Sequence, residues 1–144
     1  MKRILLATLA IITPLLFISP VPAENPAQLQ QLLKTGECPS CDLSGANLSG
    51  AHLIGADLRN ANLAGANLQQ ANLEGADLTG ANLQDANLTF ALLTNASLNN
   101  ANLNQVNLTA AMIYDADVKG ASMEGLTLTN AQIFNTDIGV GGEE

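Results

Sequence analysis

Hydrophobic residues recur at every fifth position from Leu43 to Ile138, and alanine stands two residues before most of them. The units run from Cys41-Asp42-Leu43-Ser44-Gly45 to Thr136-Asp137-Ile138-Gly139-Val140, twenty in succession without an insertion. A period of five excludes the two common elements. In an α-helix five residues rotate a side chain by about 140°, so the leucines would scatter round the axis instead of forming a stripe. In a straight strand, residues five apart face opposite sides, and half of the leucines would meet water. The backbone must therefore turn once in every unit.

Within a unit the alanine and the central hydrophobe are two apart, which places both on the same side of extended chain and leaves three residues to negotiate a corner. Two residues after the centre stand Gly45, Gly50, Gly55, Gly65, Gly75, Gly80, Gly120 and Gly125, where a positive φ would cost a residue bearing Cβ. Asn60, Asp85, Asn95, Asn100, Asp115, Asn130 and Asn135 hold the same place, and these types tolerate left-handed backbone best after glycine. Short sides joined by regular corners predict a solenoid, with Ile113, Val118, Met123, Ile133 and Ile138 replacing leucine inside it.

The run SGANLSGAHLIGADLRNANLAGANLQQANLEGADLTGANLQDANL, which alternates Ala, Asn or Asp, Leu and two variable residues, resembles the pentapeptide-repeat family. The resemblance extends from Cys41 to Val140. It implies an all-β fold, the right-handed quadrilateral β-helix, with four units per coil and the central residue and preceding alanine inside. At twenty residues per coil the repeat makes about five coils, and the inter-strand spacing of about 4.8 Å gives a rod on the order of 24 Å long.

The flanks divide the rest. Residues 1–23 carry Lys2 and Arg3 before an apolar run from Ile4 to Ile18, then Val21-Pro22-Ala23, the pattern of a secretory signal cleaved after Ala23. The run of about fifteen residues falls short of the roughly 20 that span a bilayer. No membrane association is expected after cleavage, and an exported location follows: periplasm or, given the family's abundance in cyanobacteria, thylakoid lumen. Residues 24–37 predict a short capping helix, with Asn25 as N-cap, Pro26 in the first turn and Gly36 at the stop. Leu29, Leu32 and Leu33 share a face that would cover the first coil of the solenoid, assigned to 38–140. Residues 141–144 form a tail.

Charge narrows the function classes. Removal of the signal leaves Lys34, Arg59 and Lys119 against thirteen acids, 3 minus 13, or minus 10. Direct nucleic-acid binding is not expected, because phosphate contact needs basic clusters. The acids are spread along the rod, as suits a solvated surface.

Cys38-Pro39-Ser40-Cys41 is the one constellation that invites chemistry. Thioredoxin-type pairs open a helix inside a βαβ unit, whereas this pair follows a helix and leads into the repeat. Metal binding lacks partners, since His52 is the sole histidine and a closed zinc site wants four ligands. A structural disulfide between Cys38 and Cys41, stapling the lid to the first coil, fits an exported chain. His52 has no nucleophile or paired carboxylate to work with, so no catalytic, metal or cofactor-binding residue is assigned. The Asn-x-Ser/Thr triplets at Asn47, Asn87, Asn95 and Asn107 arise from the repeat vocabulary.

On four faces, the side centred on Leu53, Leu73, Leu93, Ile113 and Ile133 differs from the others. Its outward positions, with the adjoining corner, bring Phe90, Leu92, Met112, Tyr114 and Phe134 together as an apolar patch holding every aromatic residue of the mature chain. Tyr, Met and Phe are favoured interface residues. The expected function is an exported, non-enzymatic scaffold for protein–protein interaction or structure, its partner a protein or a second copy. Two alternatives are a DNA-mimicking topoisomerase inhibitor, which family resemblance raises and export and scattered acids oppose, and a thiol–disulfide redox protein using Cys38 and Cys41.

Overall fold

The computed structural model describes residues 25–138; the assigned signal at 1–23 and the tail at 141–144 lie outside the described residues. Parallel bridges join residues twenty apart, as in Asp42, Asn62, Asn82, Asn102 and Ser122 up one side. Twenty residues are four units, so the coil has four sides. The bonds between levels alternate in direction: Leu43 N–H donates to Asn62 O and Asn62 N–H to Cys41 O, each at 2.8 Å. Such ladders satisfy backbone groups that would otherwise be buried unpaired. On one side the pairing lengthens into two strands, β1 (Met112–Tyr114) and β2 (Gln132–Phe134), parallel and in register.

Each corner is a tight turn. The alanine that begins a unit donates back to the preceding central residue, as Ala46 N–H does to Leu43 O at 3.0 Å. The residue before that alanine has positive φ, the geometry of a type II turn. Where an Asn or Asp precedes the central residue it closes the corner, its Oδ1 accepting from the N–H two residues on, as at Asn72 and Glu74 (3.0 Å) or Asp77 and Thr79 (3.0 Å). These side chains also stack: Asn82 Nδ2 donates to Asn62 Oδ1 at 3.2 Å, and Asn102 Nδ2 to Asn82 Oδ1 at 3.0 Å. The left-handed corner is not confined to Gly, Asn and Asp. Ser40, Gln70, Phe90, Gln105 and Ala110 adopt it with φ between 56° and 60°, because the turn geometry of the coil overrides local preference at a cost of roughly 1–2 kcal/mol each.

The core is a column of leucines with alanines between them. Leu43, Leu58, Leu63, Leu68, Leu73, Leu78 and Leu83 have no exposed surface, and no polar or charged residue is buried as a whole among the described residues. Alanine holds most of the positions beside them because the four sides stand close together, although Val106 takes one with no exposed surface.

The two ends differ. At the first, α1 (Pro26–Thr35) is capped by Asn25, whose side chain accepts from Ala27 and Gln28 N–H, and it stops at Gly36 in the left-handed region. Leu32 is buried and Leu29 partly so. Leu33, expected on the covering face, is 49% exposed, because α1 meets the coil on a narrow stripe. Polar contacts set that docking: Gln28 Oε1 accepts from Asp42 N–H at 2.8 Å, and Gln31 Nε2 donates to Glu37 O at 2.9 Å.

At the far end the ladders climb to Ser122, Thr127 and Gln132 on three sides and, through Glu37, Asp57, Asp77 and Ser97, to Asp117 on the fourth, five rungs on each. The twentieth unit, expected to continue it, does not bridge in register. The chain departs after Asp115 N–H meets Phe134 O at 3.0 Å, and Ile138 is buried (3% exposed) against a small internal space lined also by Leu98, Leu103 and Leu108. Thr136 holds an alanine position, and its Oγ1 is buried without a hydrogen-bond partner. Ile133, expected inside, is 39% exposed because no further level among the described residues covers it. A cleft of about 790 Å³ opens between residues 115–121 and Asn135, Thr136 and Asp137.

Candidate interaction surface

Cys38 and Cys41 lie where α1 meets the first level, with their sulfurs at disulfide-bonding distance and their Cα atoms 5.3 Å apart. Cys38 occupies a central inward position and Cys41 an alanine position; they are 0% and 5% exposed. Cys38 Sγ also sits 3.4 Å from Gln28 O of α1. Thiol–disulfide exchange needs a sulfur within reach of an attacking thiolate, and α1 stands over this one. Among the described residues no group of three or more His, Cys, Asp and Glu could hold a metal ion, and no helix is long and apolar enough to cross a membrane.

The apolar residues of the β1–β2 side fall into two vertical columns and a corner. Leu92 bridges to Met112, and Met112 pairs with Gln132; Tyr114 pairs with Phe134. Leu92, Met112 and Tyr114 are half-buried by their neighbours, whereas Phe134 is 68% exposed. Tyr114 Oη donates to Gln132 Oε1 at 2.5 Å, which fixes the ring against the sheet. Phe90 stands at the adjoining corner, 54% exposed with φ 60°. A bulky residue in left-handed backbone is a genuine outlier. Neither the corner nor the core explains a phenylalanine there, since glycine would serve the first and the ring does not enter the second. Ile54, at the foot of the Tyr114 column, is also exposed (62%) and falls outside the predicted patch.

The fourth side is acidic. Glu37, Asp57, Asp77 and Asp117 share its column, with Ser97 between the last two. Arg59 spans two of them, its guanidinium 2.6 Å from Asp57 and 3.8 Å from Asp77. The Arg59 side-chain hydrogen bonds hold the Asp57 carboxyl down at about 2, helped by its backbone N–H and its charge. Asp117 is lowered by the Asn99 amide, 2.7 Å away, and by Lys119 N–H. Asp42 is lowered by hydrogen bonds from Ser44. The left-handed Phe90 and the unpaired twentieth unit were not anticipated, although the register placing Phe90 at a corner is plain in the sequence.

A family model described as pentapeptide repeats matches in eight copies over residues 41–80 and 86–125. No curated protein matches the sequence. Among solved structures, a pentapeptide repeat protein from the Arabidopsis thaliana thylakoid lumen is 34% identical, with 67% of this chain and 68% of that one covered and a TM-score of 0.63. A pentapeptide repeat protein from Nostoc PCC 7120 is 33% identical over 74% of this chain and 97% of that one, with a TM-score of 0.55. QnrB1, a plasmid-mediated fluoroquinolone resistance protein, shares the fold at 21% identity and a TM-score of 0.60, with 69% of this chain matching about half (54%) of that one. These neighbours imply the right-handed quadrilateral β-helix that the four-sided ladder requires. With the repeat matched over more than half its length, the chain belongs to the pentapeptide-repeat family.

Proposed function

We propose that this protein is an exported, non-enzymatic scaffold of about five coils that binds another protein through the side carrying Phe90, Leu92, Met112, Tyr114 and Phe134. One observation carries the reading: Phe90 is held in left-handed backbone with its ring in solvent. A strained residue that contributes little to packing points to a use outside the fold. Tyr114, oriented by its bond to Gln132, and Phe134 extend a rigid surface on which side chains lose little entropy on binding. Similarity to the thylakoid-lumen protein supports export, in line with the sequence of residues 1–23. The buried sulfurs support a structural role for Cys38 and Cys41. The likeness to QnrB1, at 21% identity, carries the fold alone.

The test is a double variant, Tyr114→Ser with Phe134→Ser. Association measured by sedimentation, and by pull-down from the exported fraction, should be lost while the thermal midpoint barely moves. Unchanged association would refute the surface.

A further inference from the structure

With the twentieth unit out of register, the fourth side ends, five rungs up like the other three, in a ledge of unpaired backbone set among carboxylates. One level down, Leu98 N–H donates to Asp117 O at 2.7 Å and Ala96 O accepts from Asp117 N–H at 3.0 Å. The equivalent groups above, Val118 N–H and Ala116 O, carry no hydrogen bond among the described residues. They form part of the floor of the 790 Å³ cleft, whose lining holds three carboxylates, Asp115, Asp117 and Asp137, against the single ammonium of Lys119. Such an edge is a ready template for one more strand.

We propose that the ledge binds an extended, basic segment of a partner protein as an added strand. Its backbone would pair with Val118 and Ala116, and a Lys or Arg would stand over Asp117. The column already shows the charge pattern in use: Arg59 reaches across two levels from Asp57 to Asp77. Addition of a strand to a sheet edge draws affinity from main-chain bonds and selectivity from alternate side chains. A second copy is the poorer occupant, because it would bring its own Asp115, Asp117 and Asp137 against these. This site is separate from the aromatic side and does not rest on the function proposed for it.

The probe is a capped pentapeptide alternating lysine with threonine and valine, titrated into the mature full-length chain while backbone amide resonances are followed. Saturating displacement of the Val118 amide is expected. The same peptide with glutamate for lysine, or N-methylated at alternate amides, should bind at least tenfold more weakly. Asp117→Asn, which puts into this column the residue found at Asn62 and Asn82 in another, should weaken the basic peptide several-fold while leaving the amide spectrum elsewhere intact. Any of three results would overturn the proposal: no displacement at millimolar peptide, equal binding of the N-methylated form, or displacement by raised protein concentration alone, which marks self-pairing.

Discussion

Replacing Phe90 by glycine separates what the corner wants from what the surface wants. Relief of the left-handed backbone, φ 60°, returns roughly 1–2 kcal/mol. Glycine gives back about 0.4–1 kcal/mol through the larger freedom of its unfolded chain. The ring is 54% exposed, so a little under half of the roughly 1.5–3 kcal/mol of full burial is also lost. The terms cancel to within about 1 kcal/mol of zero. Ala110 lies twenty residues on at the same corner, with φ 56°, and has no ring to lose. Ala110→Gly should therefore stabilise by about 1 kcal/mol from the first two effects alone. Paired denaturant melts followed by circular dichroism measure both, and the same two proteins enter the association assay. Phe90→Gly should bind poorly and Ala110→Gly normally. A loss above about 2 kcal/mol for Phe90→Gly would show the ring to be a packing element and would remove the main support for the interaction surface.

Leu73, with no exposed surface, should cost about 2–5 kcal/mol when cut to alanine, read as a lowered denaturant midpoint; a smaller loss would mean that the column relaxes to fill the space. Cys38→Ser with Cys41→Ser opens a loop of only four residues, so chain entropy predicts a loss of about 2 kcal/mol. That double variant should also expose α1 to protease, and equal cleavage of the parent would count against the staple. The lowered folded values of Asp57, at about 2, and of Asp42 and Asp117 give stability that is complete above the ordinary carboxylate range. It is lost as the pH falls through roughly 4 toward 2, where the native carboxylates must take up protons. Replacing Arg59 by methionine should raise the Asp57 midpoint in an NMR titration; an unmoved midpoint would show that the guanidinium is not its cause.

The side-chain period requires a corner in every unit, while the four sides to a coil are legible only through the resemblance of the repeat to its family. The helix was readable for a different reason: Asn25, Pro26 and Gly36 each act locally. Leu33 was misplaced because the docking angle of α1 depends on Gln28 and Gln31 reaching the first level, which no local rule foresees. The end of the repeat is not legible in the period, because the pentapeptide register continues through Ile138 whereas the backbone leaves the ladder after Phe134. Phe90, Gln70, Gln105 and Ala110 show the converse, since the cumulative demand of stacked turns can impose on any residue a backbone that only glycine would choose. The candidate surface was legible as composition on one side. Its strain was not.

The helix at one end and, among the described residues, nothing comparable above Ile133 make this a spool with a fixed end and a looser one. Every turn in the middle is gripped from two directions, but the last is gripped from one, so local opening should begin at β2 and work downward. Tyr114 and Phe134 sit on those outermost windings. A protein that clasps them therefore does more than attach itself: it clamps the thread where it would first come loose, and its affinity adds directly to the resistance of the whole rod.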